Sequence, residues 1–181
     1  RRAELPLAYS QGFHPQPKMN IAAALPLGFS SRCEVLDMRL EHEIMLEGLR
    51  EKLQQTLPAG IQVSSIESVD EKLPALQTQV ASAEYEITLT EPLDRSELKL
   101  KIDSVMDSES IIRERRGKTY DLRPLIEELK MENVDKIFMR LAAREGATGR
   151  PEEVLDMLGI AFEGTRIERT QLIFSNNLAK A

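Results

Sequence analysis

The chain has 181 residues, of which 41% are apolar and 30% charged, enough to bury one hydrophobic core or two small ones. Its net charge of −6 argues against a protein that coats nucleic acid non-specifically, and its single cysteine, Cys33, excludes an internal disulfide and a thiolate metal cluster within the chain. No apolar run approaches the roughly 20 residues of a membrane helix and no signal-peptide pattern is present, so we expect a cytoplasmic protein without a membrane segment.

The first five residues resemble the end of a helix more than the start of a protein. Arg1 and Arg2 would complement the dipole of a final helical turn, and Pro6 would stop that helix and begin an extended run. The chain also begins without Met. We therefore interpret the sequence as a fragment whose first half lacks at least one helix and the strand before it.

Residues 10–17 predict a stiff, ordered loop between two apolar runs. Gly12 permits a positive φ, while Pro15 and Pro17 hold φ near about −65° and push the residues before them toward extended conformations. We therefore assign Gly12, Pro15 and Pro17 the role of structuring this loop.

The rest of the first half reads as two strands, a helix and a third strand. Residues 18–25 suit an extended segment and residues 34–40 alternate apolar and polar side chains, which predicts a hairpin around residues 28–31. Apolar residues then recur at helical spacing over 44–57, where a Pro-Ala-Gly sequence ends the helix. Residues 61–66 return as a strand.

The second half repeats this alternation of strands and helices. The patterns predict, in chain order, a strand over 83–90, a helix over 94–106, strands over 111–115 and 136–142, a helix from Arg150 onward and a strand over 165–174. Asp121 and Arg123 lie between the second and third of these strands. They are two residues apart and point the same way in an extended stretch, so we expect them to pair and structure the loop.

These elements predict an α+β protein made of two ferredoxin-like halves in tandem. The first half shows strand, strand, helix, strand, and restoring its missing opening strand and helix gives the βαββαβ plan. We place the first half at residues 1–74 and the second at residues 75–175. Residues 176–181 are predicted to be a flexible tail.

Charge is unevenly distributed along the chain. Residues 1–32 carry four basic side chains and one acidic side chain, a net of +3, whereas residues 33–90 carry four basic and eleven acidic ones, a net of −7. The remainder is close to balanced, with 16 basic and 18 acidic side chains. A basic, stiff opening on an acidic chain is where we expect an anionic partner to bind.

Aromatic rings and positive charges occur close together in this opening, as in proteins that hold single-stranded RNA. The alternative is that Tyr9 and Phe13 belong to the core, since aromatic residues make up only 4% of the chain. The predicted RNA or partner contacts of this segment are Arg1, Arg2, Tyr9, Ser10, Gln11, Phe13, His14 and Lys18.

A second basic cluster surrounds a turn at Gly117 and consists of Arg113, Arg115, Arg116 and Lys118. On a strand, Arg113 and Arg115 share a face, which would suit them to grip phosphates of RNA or groups of a partner. An edge strand guarded by charges against aggregation explains the same residues.

The sequence nominates no catalytic residue and no metal-binding residue. His14 and His42 lack the spacing of a metal site, so a partner-contacting or hydrogen-bonded His14 is favoured over a catalytic one. Gly-rich phosphate loops, nucleophile elbows and zinc-protease motifs are missing. An autonomous enzyme is therefore not supported.

Four stretches of sequence resemble a known family. Residues 1–18 read RRAELPLAYSQGFHPQPK, residues 24–28 read ALPLG, residues 34–37 read EVLD and residues 121–124 read DLRP. Together they closely resemble the uncharacterised radical-SAM-linked protein family, or DUF2344 domain, over nearly the whole chain. One departure is Gln16, where family members often carry His, so a metal-binding or proton-transferring role at that position is weakened.

The resemblance implies a partner rather than catalytic residues. Members occur beside or fused behind a radical SAM protein with a cobalamin-binding-type domain, and the resemblance implies a part in RNA modification. It also implies a strand and a helix before Arg1. No cofactor is expected on this chain, because the partner would carry the iron–sulfur cluster and S-adenosylmethionine.

Three hypotheses follow for the function. The leading one is a non-catalytic accessory domain that positions RNA, such as tRNA or rRNA, against a radical SAM enzyme. The alternative is a protein-interaction module that docks the radical SAM partner without touching RNA. A third hypothesis, with less support, has His14 and Asp121 complete an active site shared with the partner.

Overall fold

The computed structural model describes residues 2–91 and 93–175, which form a mixed α+β fold, as the sequence predicted. The strands are β1 (Met19–Ile21), β2 (Ser30–Ser31), β3 (Leu36–Met38), β4 (Val80–Leu89), β5 (Ile112–Arg115), β6 (Lys118–Asp121), β7 (Ile126–Met131), β8 (Lys136–Arg144), β9 (Ala147–Thr148) and β10 (Thr165–Phe174). The helices are α1 (Leu49–Thr56), α2 (Arg95–Asp107) and α3 (Pro151–Leu158), with 3-10 turns at Leu76–Gln79, Arg123–Leu125 and Phe162–Gly164. The predicted contact Arg1 and the predicted tail at 176–181 lie outside the described residues.

The chain forms two compact units. Unit 1 comprises Arg1–Asn20 and Leu36–Leu76, and unit 2 comprises Ile21–Val35 and Gln77–Ala181. The segment Ile21–Val35 therefore belongs to unit 2, although the stretches on both sides of it belong to unit 1. Unit 2 is thus built from two separate stretches of chain.

A sheet with the strand order β2-β10-β4-β8-β7 forms the centre of unit 2. The β2–β10 pair is parallel, and the pairs between β10, β4, β8 and β7 are antiparallel. Alternation sets its two faces: Ala83, Tyr85 and Ile87 of β4 are buried, whereas Glu84 and Glu86 between them are half-buried. One face therefore lies in the core and the other carries charged side chains.

Helices α2 and α3 contribute the other part of this core, as their predicted helical patterns require. Leu98, Ile102 and Val105 of α2 are buried, and α2 packs against β7 and α3. The Asp94 side chain caps α2 by accepting a hydrogen bond from the Glu97 amide at 2.8 Å. None of the helices within residues 2–91 and 93–175 has the length and apolar character that a membrane crossing requires.

Strand β7 was not predicted, because its sequence does not alternate cleanly. Two adjacent glutamates, Glu127 and Glu128, break the apolar-polar pattern, and the β7–β8 register shifts between Ile126 and Glu128. After this irregularity, Leu129 and Met131 turn toward the core side of the strand, where Leu129 is buried and Met131 half-buried. Because of this bulge, β7 lacks the regular alternation of apolar and polar residues by which a strand is recognised in a sequence.

Unit 1 has much less regular structure than its sequence predicts. Strands β1 and β3 pair with each other, as predicted for residues 18–25 and 34–40. The prediction of a hairpin turn around residues 28–31 is wrong, because Ser30–Ser31 form β2 and pair with β10 in the other sheet. The prediction of a strand over 61–66 is wrong. These residues form no strand in the structure, and the Gln54 side-chain amide instead donates to Ile61 O and accepts from Val63 N, both at 2.9 Å.

Candidate functional site

The predicted stiff loop near the start of the chain is a closed hairpin over residues 8–18, which we call the opening hairpin. The Ser10 amide donates to Gln16 O at 2.8 Å, and the Gln16 amide donates to Ser10 Oγ at 2.9 Å. The Lys18 amide donates to Ala8 O at 2.8 Å. Gly12 lies at φ 129°, a conformation that side-chain-bearing residues rarely adopt.

The base of the opening hairpin is held by a second stretch of unit 1. The Ala8 amide donates to Arg39 O and the Arg39 amide donates to Lys18 O, both at 2.9 Å. The Arg39 guanidinium in turn pairs with Glu71 at 2.6 Å. Backbone hydrogen bonds therefore fix both ends of the hairpin, and its tip projects from a defined base.

The side chains at the tip of the opening hairpin are exposed. Phe13 is fully exposed, at 102% relative accessibility, and Gln11 and His14 on either side of it are also exposed. Tyr9 is 38% exposed at the base, so neither aromatic residue belongs to the core. Ser10 differs from the other predicted contacts because its hydroxyl is already used to close the hairpin.

The exposed cations of this region have no carboxylate partner among the described residues. Arg2 and Lys18 are exposed, and no ion pair is found for either within residues 2–91 and 93–175. Residues 5–33 contain no Asp or Glu, although 30 of the 181 residues are acidic. An anion approaching the opening hairpin therefore meets no acidic side chain from this stretch of sequence.

The second predicted cluster lies on the β5–β6 hairpin, and its four basic side chains fall into two groups with different surroundings. Arg113 and Arg115 do share a face of β5, but Arg113 pairs with Asp156 of α3, and Arg115 binds both carboxylate oxygens of Glu153, at 2.5 and 3.0 Å. The Arg115 guanidinium also lies 4.7 Å from the centre of the Tyr120 ring. These two arginines hold the β5–β6 hairpin against α3.

These contacts also set the titration of the paired groups. Burial would raise the pKa of Glu153, but hydrogen bonds from Arg115 and Tyr120 outweigh it and hold that pKa below its ordinary value. Arg116, at φ 53°, and Lys118 remain exposed at the turn, and no ion pair is found for them in the part of the chain that the structure describes. Only this half of the cluster is available to an outside anion.

Asp121 and Arg123 structure their loop, although they do not pair with each other as expected. Asp121 Oδ1 accepts hydrogen bonds from the amides of Ile111, at 2.7 Å, and Arg123, at 3.0 Å, which hold the pKa of Asp121 below its ordinary value. The Arg123 guanidinium donates to Met106 O, at 2.8 Å, and Ile126 O, at 2.9 Å. Asp121 therefore satisfies two backbone amides, one just before β5 and one in the turn after β6, whereas Arg123 satisfies carbonyls at the end of α2 and the start of β7.

A buried arginine that sequence reasoning missed organises the segment Ile21–Val35. Arg169 is 2% exposed, and its Nη2 donates to Glu34 Oε2 at 2.6 Å and to Ala23 O at 2.8 Å. Burial of Tyr85 beside it raises the pKa of that phenol. The sequence did contain an indication of the burial of Arg169. Side chains alternate between the two faces of a strand, and Arg169 lies two residues after Ile167, so both face the inward side of β10.

The Cys33 thiol lies beside the Arg169 backbone and is not activated as a nucleophile. Its thiol donates to Arg169 O at 3.5 Å, and burial raises the pKa of Cys33. Among the described residues, no group of three or more His, Cys, Asp or Glu could hold a metal ion.

The charged face of the unit 2 sheet is internally neutralised. Arg140 pairs with Glu84 at 2.6 Å, and Lys136 pairs with Glu86 at 2.7 Å. Lys130 lies 4.6 Å from the centre of the Phe138 ring, the aromatic side chain of this face in β8. A sheet face that binds RNA offers free cations and stacking rings, and here both are engaged with neighbours.

One family model matches the chain, over residues 1–151, and its description is "Uncharacterized protein conserved in bacteria (DUF2344)". No curated protein and no solved structure matches the chain significantly. The matched residues include the opening hairpin, the β5–β6 hairpin and the loop with Asp121 and Arg123.

Proposed function

We propose that this chain, which belongs to the DUF2344 family, is a non-catalytic accessory domain that positions RNA for modification by a radical SAM enzyme. The observation that carries the proposal is the opening hairpin, where Tyr9, Gln11, Phe13, His14 and Lys18 are exposed on a backbone fixed at both ends. Ordered loops with exposed aromatic and basic side chains are a common way to hold unpaired RNA.

The contact surface that we propose consists of the opening hairpin with Arg2, and the exposed turn with Arg116 and Lys118 is a second, weaker contact. Arg113 and Arg115 are not part of it, because their guanidinium groups are paired with carboxylates of α3. Paired cations offer less to a phosphate, since binding must first break the existing pair.

A radical SAM partner is part of the proposal, because the chemistry needs groups that this chain lacks. An iron–sulfur cluster requires several thiolate ligands, and the chain has one cysteine. The partner, a radical SAM protein with a cobalamin-binding-type domain, would carry the cluster and S-adenosylmethionine. A cytoplasmic site of action belongs to the same proposal.

Salt-dependent RNA binding tests this proposal. The full chain is titrated into labelled bulk cellular RNA across a salt series, alongside the double variant Arg2→Glu/Lys18→Glu. Each phosphate contact contributes about 0.7 to the slope of log affinity against log salt for single strands, so losing two contacts should lower the slope by about 1.4.

A charge-matched control separates local contact from overall charge. Lys52→Glu/Lys72→Glu makes the same change in net charge on exposed side chains of unit 1 that lie outside the opening hairpin. We expect this control to keep most of the wild-type slope. Equal losses in both double variants, or no binding by the wild type, would contradict the proposed RNA surface.

Exposed apolar side chains favour a second candidate, the protein-interaction module. Met19, Ile21, Leu25 and Leu27 are exposed, and Leu27 is 99% accessible. Large exposed apolar patches mark protein-interaction surfaces, and these four side chains lie close together in the sequence. On this hypothesis the chain captures its radical SAM partner but shows no salt-dependent binding of RNA.

The shared active site through His14 and Asp121 receives less support from the geometry. Asp121 uses Oδ1 for two backbone amides, which fits a carboxylate that holds a loop rather than one that moves a proton. His14 is exposed, with no resolved partner that would orient it as a base within the described residues.

We also propose that unit 2 is a ferredoxin-like half, in line with the predicted tandem plan. Its main elements run β4, α2, β7, β8, α3, β10, with the β5–β6 hairpin inserted after α2. The order β10-β4-β8-β7 places the first and third of these strands at the centre of the sheet, which supports the split βαβ plan. We propose residues 75–175 as the limits of this half; the segment Ile21–Val35, which adds β2 to its sheet, is a further part of unit 2.

A further inference from the structure

Phe13 is presented to solvent at the tip of a hairpin whose backbone is closed by hydrogen bonds. The two hydrogen bonds between Ser10 and Gln16 close the loop, and the positive φ of Gly12 sets the direction of the chain just before the ring. Pro15 limits the backbone just after it. The phenyl ring is fully exposed as a result.

The surroundings of the ring are polar rather than apolar. Between Ser10 and Lys18, Phe13 is the one apolar residue apart from two prolines, and its neighbours carry amide, imidazole and ammonium groups. A ring that docks into a protein groove is usually one of several apolar anchors that bury a common patch. An isolated ring among hydrogen-bonding groups and a cation suits a nucleobase and its phosphate better.

We propose that Phe13 is a stacking platform for one unpaired nucleobase, so that the opening hairpin selects single-stranded or looped RNA over duplex RNA. This inference rests on the proposed function and deepens it by naming the form of RNA that binds. A paired base in a helix has both faces covered by its neighbours, whereas an unpaired base can lay a face on the ring. Because every base has such a face, the preference would be for strandedness and not for sequence.

The test compares two probes and three variants of the full chain. The probes are a labelled oligouridine of about 12 nucleotides, a length within the site size of single-strand binders, and the same strand annealed to oligoadenine. Phe13→Ala removes the ring, Phe13→Leu keeps apolar volume without a π face, and Phe13→Tyr keeps the π face. Since the side chain is fully exposed, none of the three changes removes a core contact.

We expect Phe13→Ala and Phe13→Leu to weaken oligouridine binding by about tenfold, which lies within the measured range for one base–aromatic stack. Phe13→Tyr should bind like the wild type, and duplex binding should change less than about twofold in all three. Leu27→Ala is the matched control, because it removes an equally exposed apolar side chain outside the opening hairpin. It should leave binding of oligouridine unchanged.

Each other outcome overturns a defined part of the account. If the wild type binds neither probe, the proposed function fails together with the inference. If the wild type binds and Phe13→Leu binds equally well, or duplex binding falls as much as single-strand binding, the stacking role is refuted while RNA binding stands. If the Phe13 variants bind RNA normally but lose the radical SAM partner, the ring is a protein contact.

Discussion

Replacing Arg169 by Ala tests how the segment Ile21–Val35 is held in unit 2. The guanidinium is buried, pairs with Glu34, and donates to the carbonyls of Ala23 at 2.8 Å and Ala24 at 3.4 Å. Its removal leaves a carboxylate without its partner and two carbonyls without their donor. The change therefore disturbs more than one ion pair.

The size of the effect follows from burial. Removing one partner of a fully buried pair costs about 3–5 kcal/mol. The Glu34 side chain is 36% exposed and regains water when its partner is lost, so we expect a free energy of unfolding lower by about 3 kcal/mol, at the lower end of that range. With a urea dependence near 2 kcal/mol/M, the unfolding midpoint would fall by roughly 1.5 M.

Urea unfolding followed by circular dichroism measures this loss, with Arg166→Ala as the matched control. Arg166 lies on the same strand, is exposed, and should change the free energy of unfolding by less than about 0.5 kcal/mol. Arg169→Ala and Glu34→Ala should be non-additive when combined, because each removes the same pair. A loss below about 1 kcal/mol for Arg169→Ala, or additive losses in the double variant, would refute the assigned role of the pair.

Three further predictions concern the other structural contacts. The pKa of Asp121 is lowered in the folded state, so its charge stabilises the fold fully above about pH 4, and this stabilisation is lost as the pH falls through the folded pKa. In urea unfolding at a series of acid pH values, the stability difference between wild type and Asp121→Asn should therefore shrink over that range. Arg115→Ala should lower the free energy of unfolding by about 1–2 kcal/mol and Arg116→Ala by less than about 0.5, and a reversal of this order would show that the pair with Glu153 is not stabilising. Cys33 should react with a disulfide reagent at pH 8 more slowly than free cysteine, because burial raises its pKa and lowers its thiolate fraction, whereas an equal or faster rate would contradict that burial.

The sequence predicted the long elements of unit 2 because burial there follows simple periods. Strand β4 alternates over ten residues, and α2 has a capping Asp94 followed by apolar residues at helical spacing. Strand β2 and its parallel pairing with β10 could not be foreseen, since two residues carry no period and the pairing joins Ser30 to Glu168 across most of the chain.

The candidate site was predictable where it depends on local chain geometry. Gly12 and the prolines around Phe13 predicted a stiff, ordered loop, and the structure shows that this loop is a hairpin closed by hydrogen bonds. The pairing of Arg113 and Arg115 with α3 could not be predicted from the sequence, because their partners lie 43 and 38 residues further along the chain. Sequence shows which side chains are charged, and only tertiary structure shows which charges are already used.

Photo-crosslinking of bound RNA tests most directly where the chain contacts it. Trypsin releases residues 3–18 as one peptide, because no Lys or Arg lies between Arg2 and Lys18, and this peptide contains almost all of the opening hairpin's predicted contacts. Mass spectrometry of the crosslinked full chain should find nucleotide adducts on peptide 3–18. Adducts confined to peptides from the charged sheet face of unit 2, or none above the level of a non-binding control protein, would contradict the opening hairpin as the RNA contact.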